Sequence, residues 1–323
     1  MNKVLSFDLS SGESGIDTAI SAAVKFLNEN PDWRIKGFAV EDKKSTHPRL
    51  EIIKCEDLIT GEESVLEVRR KTNSTLSRGI QSVVNGEAGA MLSASPSGAL
   101  VTAGYIMSKT IDGIKPAFST SLPASDGKMR VILDIGANID VTPEVMHQYA
   151  LLGTTYSKVT GYSENPVIRL LNIGTEDKKG TLLQVKTHKL LSEDKRINFK
   201  GNLEPQGVFT EAGNDVIVTD AYGGNLMLKS YEGAMDFAKN SIKEAMKTSI
   251  LDKIGISMSY KFRKKMKALS TDNGGGAIVL GLNHILFKVH GEARELWMYN
   301  SLNELKVLVE NDLISQLRKV THG

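Results

Sequence analysis

Cysteine is nearly missing from this chain of 323 residues: Cys55 stands alone. One thiol cannot close an internal disulfide or build a thiolate zinc cluster, so the fold must rest on its core, and a reducing cytoplasm suits it. An excess of one charge is missing too. Forty basic residues against 38 acidic ones leave a net charge of +2, which argues against a surface devoted to nucleic acid and makes any basic function local. Residues 1–8 pass from Met1, Asn2 and Lys3 straight into a strand-like stretch, with no small-residue cleavage site behind it, unlike a signal peptide. The longest weakly polar run, 98–107, contains Thr102 and two glycines and falls short of the roughly 20 residues that span a bilayer. Contact with a membrane would therefore be peripheral. No repeat, low-complexity tract or proline-rich linker divides the chain, and 41% hydrophobic residues over this length support one large domain or two closely joined lobes.

Several chemical signatures are also lacking. There is no dinucleotide fingerprint, no Walker A loop and no Gly-x-Ser-x-Gly elbow, so NAD, ATP and a serine nucleophile have no support. The six histidines are scattered, at 47, 147, 188, 284, 290 and 322, without a His-x-x-His pair, and the acidic residues show no metal-ligand spacing. Neither metal nor cofactor is expected.

What is present is an alternation. Short apolar, β-branched runs at 3–8, 34–40, 50–54, 88–93, 130–134, 167–172 and 216–220 read as buried strands. Helical patterns lie between many of them, at 17–28, 143–152 and 181–191, the second with Thr142 as cap and Pro143 at its first position. This predicts an α/β fold: a three-layer α/β/α sandwich with a mainly parallel sheet. Later, Met235, Ala238, Ile242, Ala245, Met246 and Ile250 mark one face of a long helix, and Leu302, Leu305, Val309, Leu313 and Leu317 mark another. Between them 277–280 and 284–290 read as a strand pair, which suggests a small helical and β-hairpin lobe over about 226–290, its helices flanking the sheet or building a dimer contact.

Four strands are followed by small or polar residues with glycine: SASPSG at 93–98, DIGANID at 134–140, NIGTEDKKG at 172–180 and DAYGGN at 220–225. Loops at the carboxyl ends of a doubly wound sheet converge on its ligand crevice, and glycine lets backbone N–H groups approach an anion. Any one of these loops is equally satisfied by a tight turn with a capping Asp or Asn. Four together favour a ligand the size of phosphate or carboxylate.

At these loops the chain resembles the phosphate acyltransferases of bacterial phospholipid synthesis, the PlsX family. The matching pieces run from about Val68 to Gly291: RRKTNST at 69–75, SASPSGALVTAG at 93–104, LDIGANID at 133–140, LLNIGTEDKKG at 170–180, INFKGNLE at 197–204, VTDAYGGNLMLKSYEG at 218–233 and NGGGA at 273–277. The resemblance implies a fold similar to the isocitrate and isopropylmalate dehydrogenases, usually as a homodimer. It implies that inorganic phosphate attacks the thioester of acylated acyl-carrier protein (acyl-ACP), giving acyl phosphate for a membrane acyltransferase; the alternatives are phosphotransacetylase-like exchange on acyl-coenzyme A through the same loops, or a catalytically weak homologue that binds carrier protein or membrane. The chain departs from the family at Asp8-Leu9-Ser10-Ser11-Gly12-Glu13, in place of Asp-Ala-Met-Gly-Gly-Asp, and at Ser95-Pro96-Ser97, in place of Gly-Asn-Thr. Lys115 stands where the family has arginine.

Phosphate is already anionic near neutral pH. It needs positioning, charge compensation and donors for the oxyanion rather than a triad. By the resemblance Lys179 and Asn225 are the catalytic pair, Lys179 to hold phosphate or the oxyanion and Asn225 to donate from its amide. Read alone, Lys179 is also a solvated lysine beside Glu176 and Asp177, and Asn225 a turn or cap residue. Ser93, Ser97, Gly98, Gly136, Asn138 and Gly174 are candidates for the phosphate cradle, Glu176 and Asp220 for orienting the pair, and His290 for lining the site. In the segment 250–267, Leu251, Ile254, Ile256 and Met258 stand beside Lys261, Arg263, Lys264, Lys265 and Lys267, and by the resemblance form a tip that attaches peripherally to membrane.

Overall fold

The computed structural model describes residues 2–45, 47–61, 63–248 and 276–322. The membrane-tip residues Leu251, Ile254, Ile256 and Met258 lie outside the described residues, as does Ile250 of the long helical face.

An eleven-stranded sheet forms the middle layer, in the order β3-β2-β1-β4-β11-β10-β5-β6-β9-β7-β8. The strands read from apolar runs all appear: β1 (Val4–Asp8), β2 (Arg34–Ala39), β3 (Leu50–Lys54), β4 (Ala90–Ser93), β6 (Met129–Leu133), β7 (Val167–Leu171) and β9 (Val216–Val218). Two more, β5 (Ala117–Pro123) and β8 (Asn198–Leu203), carry Ser, Thr, Asn and Gly where an apolar pattern would betray them. Central strands bury both faces. Val131 and Leu133 of β6 join the core on one side and Ile132 the core on the other, with Val216, Val218 and Ile217 of β9 in the same relation. The first face is covered by α1 (Ile16–Glu29), α5 (Pro143–Val159), α6 (Leu182–Glu193), α9 (Glu295–Glu310) and α10 (Leu313–His322). The second is covered by α2 (Val65–Arg70), α3 (Thr75–Val84), α4 (Ser97–Ser108), α7 (Pro205–Thr210) and α8, whose described part is Ala221–Thr248. Three layers result, as the alternation requires. Thr142 caps α5 through the Val145 N–H at 3.4 Å, with Pro143 in the first position.

Two readings need correcting. The strands β10 (Ala277–Leu280) and β11 (Ile285–Lys288) pair antiparallel, but they do not build an added lobe. They lie at the centre of the sheet, between β4 and β5, because Ile278, Leu280 and Phe287 face one core and Val279 and Leu286 the other. The face from Leu302 to Leu317 belongs to two helices, α9 and α10, broken at Asn311 and Asp312, where Asp312 takes φ 48°.

All three antiparallel pairings, β11–β10, β10–β5 and β5–β6, are central. Outside them β3, β2, β1, β4 and β11 run one way, and β6, β9, β7 and β8 run the other. The carboxyl ends of the two blocks therefore point to opposite ends of the sheet. The loop after β4 does not share an edge with those after β6, β7 and β9, so the four glycine-rich loops cannot meet in the manner of a simple doubly wound sheet. Where they do approach, it is over the face of the central strands.

Candidate functional site

Asp134 organises the first wall. Its Oδ1 accepts the N–H groups of Phe118, Gly136 and Ala137 at 2.9–3.0 Å, and its Oδ2 accepts that of Asn138 at 2.9 Å. Burial raises the affinity of this carboxyl for its proton, and the four N–H groups oppose that effect. The loop can close so tightly because Gly136 takes φ 144°, a conformation that side chains rarely adopt. Asn138 is committed to the same loop: its amide donates to the Pro116 carbonyl at 2.5 Å and to the Tyr149 hydroxyl at 2.9 Å. In this arrangement Asn138 shapes the loop, and Gly136 is the part that reaches the cavity.

Onto this loop packs the start of α8. A Cβ on Gly224 would sit 2.0 Å from the Asp134 carbonyl oxygen, so only glycine permits the approach, and the approach places Asn225 beside Gly136. Asp220 caps the helix, accepting the Gly223 N–H at 2.7 Å, and receives the Gln184 amide at 3.3 Å. The turn reading of that aspartate is the one its hydrogen bonds support.

Between α8 and the central sheet face is a cleft of about 250 Å³. Phe118, Leu122 and Leu228 give it an apolar floor, while Ser97, Asn225, Lys229, Lys288 and His290 bring polar groups to it. Ser97 opens α4, whose N-terminus has no side-chain cap and adds favourable partial charge for an anion. His290 stacks on Trp297, ring centroids 5.9 Å apart, and its Nδ1 accepts the Glu292 N–H at 3.3 Å, which leaves Nε2 to carry the ring proton. Lys229 pairs with Glu232 at 2.8 Å. Lys288 ends β11 in register with Ser93 and Ala277, and its pKa is held down to about 8, by burial first and by the Lys229 ammonium second.

A second cavity, of about 880 Å³, lies on the other side of α8. Its walls are largely apolar, with Ile173, Phe209, Leu226 and Met227, and it includes Asn172, Gly180 and Asp220. Tyr231 lines both cavities and is stacked on Phe209 at 4.1 Å between centroids.

The sequence candidates thus divide. Ser97, Gly136, Asn225 and His290 come together in the smaller cleft, and Asp220 lines the larger cavity. Ser93 is fully buried and donates to Asp8 at 2.9 Å, beneath the α4 entrance. Gly98 is exposed in the first turn of α4. Gly174 is buried against Glu176 and the stem of Lys179. Lys179 is half exposed, 3.7 Å from Glu176, and borders the larger cavity only through its neighbour Gly180. Sequence reasoning missed Lys288 and Lys229. The signal for Lys288 was present, since a lone lysine between Phe287 and Val289 in a buried strand is a charge without an obvious reason.

The family described as fatty acid synthesis protein matches the chain over residues 7–316. Phosphate acyltransferases of Staphylococcus haemolyticus (strain JCSC1435) and Staphylococcus aureus (strain MRSA252) are each 34% identical to it. The first aligns over 326 residues, 99% of this chain and 98% of its own, and the second over 319 residues, 98% and 97%. Among solved structures, a branched-chain phosphotransacylase from Enterococcus faecalis V583 superposes with a TM-score of 0.59 at 13% identity, over 95% of this chain and 99% of its own. A phosphotransacetylase from Streptococcus pyogenes does so with a TM-score of 0.58 at 15% identity, over 97% and 94%. At such identities these two likenesses bear on the fold alone.

Proposed function

The chain belongs to the fatty acid synthesis protein family, as one of its phosphate acyltransferases, and from that premise we propose that it transfers the acyl group of acyl-ACP to inorganic phosphate, with the smaller cleft as the phosphate side of the reaction. The observation that carries this reading is the pairing of cavities across α8: a small cleft rich in donors beside a larger apolar one, with Tyr231 lining both. A thioester with a long acyl chain and a small anion differ in this same way. The larger cavity takes the apolar part of the donor.

In the reaction a phosphate oxygen forms a bond to the thioester carbon, the carbon–sulfur bond breaks, and the thiolate leaves with the electron pair. Phosphate needs no base to attack. The Asn225 amide donates to the oxyanion of the tetrahedral intermediate, and the α4 N-terminus at Ser97 favours the negative charge. His290, with Nε2 protonated, is a second donor. Lys179 approaches from the rim of the larger cavity, where its exposed ammonium has room to move.

The finer parts of the reading are a homodimer, peripheral attachment to the membrane and delivery of acyl phosphate to a membrane acyltransferase, in the cytoplasm. Among the described residues no helix is long and apolar enough to cross a membrane. Support for a dimer comes from large apolar side chains left exposed outside both cavities, among them Leu66, Leu182 and Phe237. The deciding experiment mixes purified protein with acyl-ACP and phosphate and measures acyl phosphate, without ATP or NAD. Formation that depends on phosphate and prefers acyl-ACP to acyl-coenzyme A is the expected result; equal or better use of acyl-coenzyme A refutes the donor assignment.

A further inference from the structure

We propose that the Lys288 ammonium is the cation that holds inorganic phosphate in the smaller cleft. The assignment rests on the phosphate acyltransferase reading of that cleft and adds to it a residue outside the four glycine-rich loops.

Position is the first argument. Lys288 is the last residue of β11, on the same sheet face as Leu286, so its side chain rises from the central sheet into the cleft rather than reaching in from solvent. Its register partner on β4 is Ser93, and the chain beyond Ser93 leads directly to the α4 N-terminus at Ser97. A small anion over Lys288 therefore meets the ammonium, the uncapped helix end and the Asn225 amide within one cavity of about 250 Å³.

Pairing is the second. The charged and titratable groups facing Lys288 are Lys229, Tyr231 and Glu232 from α8 and His290 beyond β11. Glu232 is engaged by Lys229 at 2.8 Å, and burial raises the pKa of the Tyr231 phenol. Among the described residues the hydrogen bond given for Nζ of Lys288 goes to the Val289 carbonyl, at 3.2 Å. Among the described residues no carboxylate pairs with this half-buried ammonium, which makes its charge costly to keep, and burial with Lys229 holds its pKa to about 8. An arriving phosphate dianion supplies the missing negative charge. It also raises the affinity of Lys288 for its proton, so phosphate binds most tightly below that pKa and weakens as pH rises through it. Lys288 keeps its proton throughout the transfer.

The test compares wild type with Lys288→Met, similar in volume and uncharged, and Lys288→Arg, which stays charged. Phosphate binding is measured by calorimetry at pH 7 and pH 9.5, and the KM values for phosphate and thioester by turnover. The expected result for Lys288→Met is phosphate binding weaker by about tenfold or more, the scale of one charge-assisted hydrogen bond. Its thioester KM stays unchanged and its melting temperature is equal or higher. In wild type the affinity drops between pH 7 and pH 9.5, while in Lys288→Arg it holds. Wild-type phosphate affinity in Lys288→Met, a loss confined to kcat, or the same alkaline loss in Lys288→Arg overturns the assignment. If phosphate binds through Lys288 and yet no acyl phosphate forms, the acyl-transfer reading fails and the anion site stands.

Discussion

Replacing Gly224 by alanine tests whether close packing of α8 on the Asp134 loop is what positions Asn225. The new Cβ would lie 2.0 Å from the Asp134 carbonyl oxygen and 2.7 Å from Thr219 Cγ2. Relief requires about 1 Å or more of separation. The loop cannot easily retreat, because the Asp134 carboxylate holds three of its backbone N–H groups, and that of Phe118 on β5, at 2.9–3.0 Å. The helix start must move instead, and Asn225 with it. Overpacking of this kind costs about 1–3 kcal/mol of stability, and a displacement of about 1 Å at a donor costs on the order of 10²-fold in rate. Gly233, farther along the same helix, has open space within 4 Å of where a Cβ would stand. Gly233→Ala should therefore stabilise by about 0.5–1 kcal/mol and leave turnover alone. Thermal melts and steady-state rates on both variants decide the matter. Wild-type kcat in Gly224→Ala, or equal effects of the two substitutions, would refute the positioning argument.

Other consequences follow from single side chains. Asn225→Ala and Lys179→Ala should each slow turnover by at least roughly tenfold with unchanged melting temperatures, since one oxyanion donor typically contributes about 10²-fold or more; Lys178→Ala is the mild control, and near-normal rates in both would remove the pair from the site. Glu304, enclosed by the Tyr156 and Tyr162 hydroxyls, has its pKa raised by burial, so its contribution is full below the unfolded pKa and is lost as pH rises through the folded one. Glu304→Gln should then flatten the fall in melting temperature between those two pKa values, and an unchanged pH profile would show that this carboxyl does not govern it. For the segment outside the described residues, Leu251→Glu with Ile254→Glu should abolish co-sedimentation with anionic vesicles and spare acyl phosphate synthesis in solution; continued sedimentation would assign those side chains to packing.

Strands buried on both faces were the easiest elements to read, because both of their faces are apolar. Val131, Ile132 and Leu133 leave no alternative to a buried strand of that length. The strand β5 was hidden by Ser119, Thr120 and Ser121, which stay buried in the sheet, as with Ser119 donating to the Ile132 carbonyl at 3.2 Å. Ser119 and Thr120, satisfied by neighbouring backbone carbonyls, erase the hydrophobic pattern without weakening the strand. The break between α9 and α10 was illegible for another reason. Leu302, Leu305, Val309, Leu313 and Leu317 keep helical spacing across it, and only the left-handed backbone of Asp312 marks the interruption.

The direction of the strands was the part that sequence patterns could not carry, and it decides where the site lies. An apolar run has the same composition whichever way it is threaded, and the β10–β11 pair reverses one block of the sheet relative to the other. The glycine-rich loops stand out in the sequence, but the crevice rule that gathers all four at one edge holds only when the strands share a direction. With the blocks opposed, the loops after β4 and β6 meet only across the centre, while the loop after β7 lines the larger cavity with Asp220 of the loop after β9. What then fills the gap between them is the pair itself. Its last residue, Lys288, stands half-buried in the lining of the cleft, where among the described residues the loops of the two blocks bring no lysine or arginine.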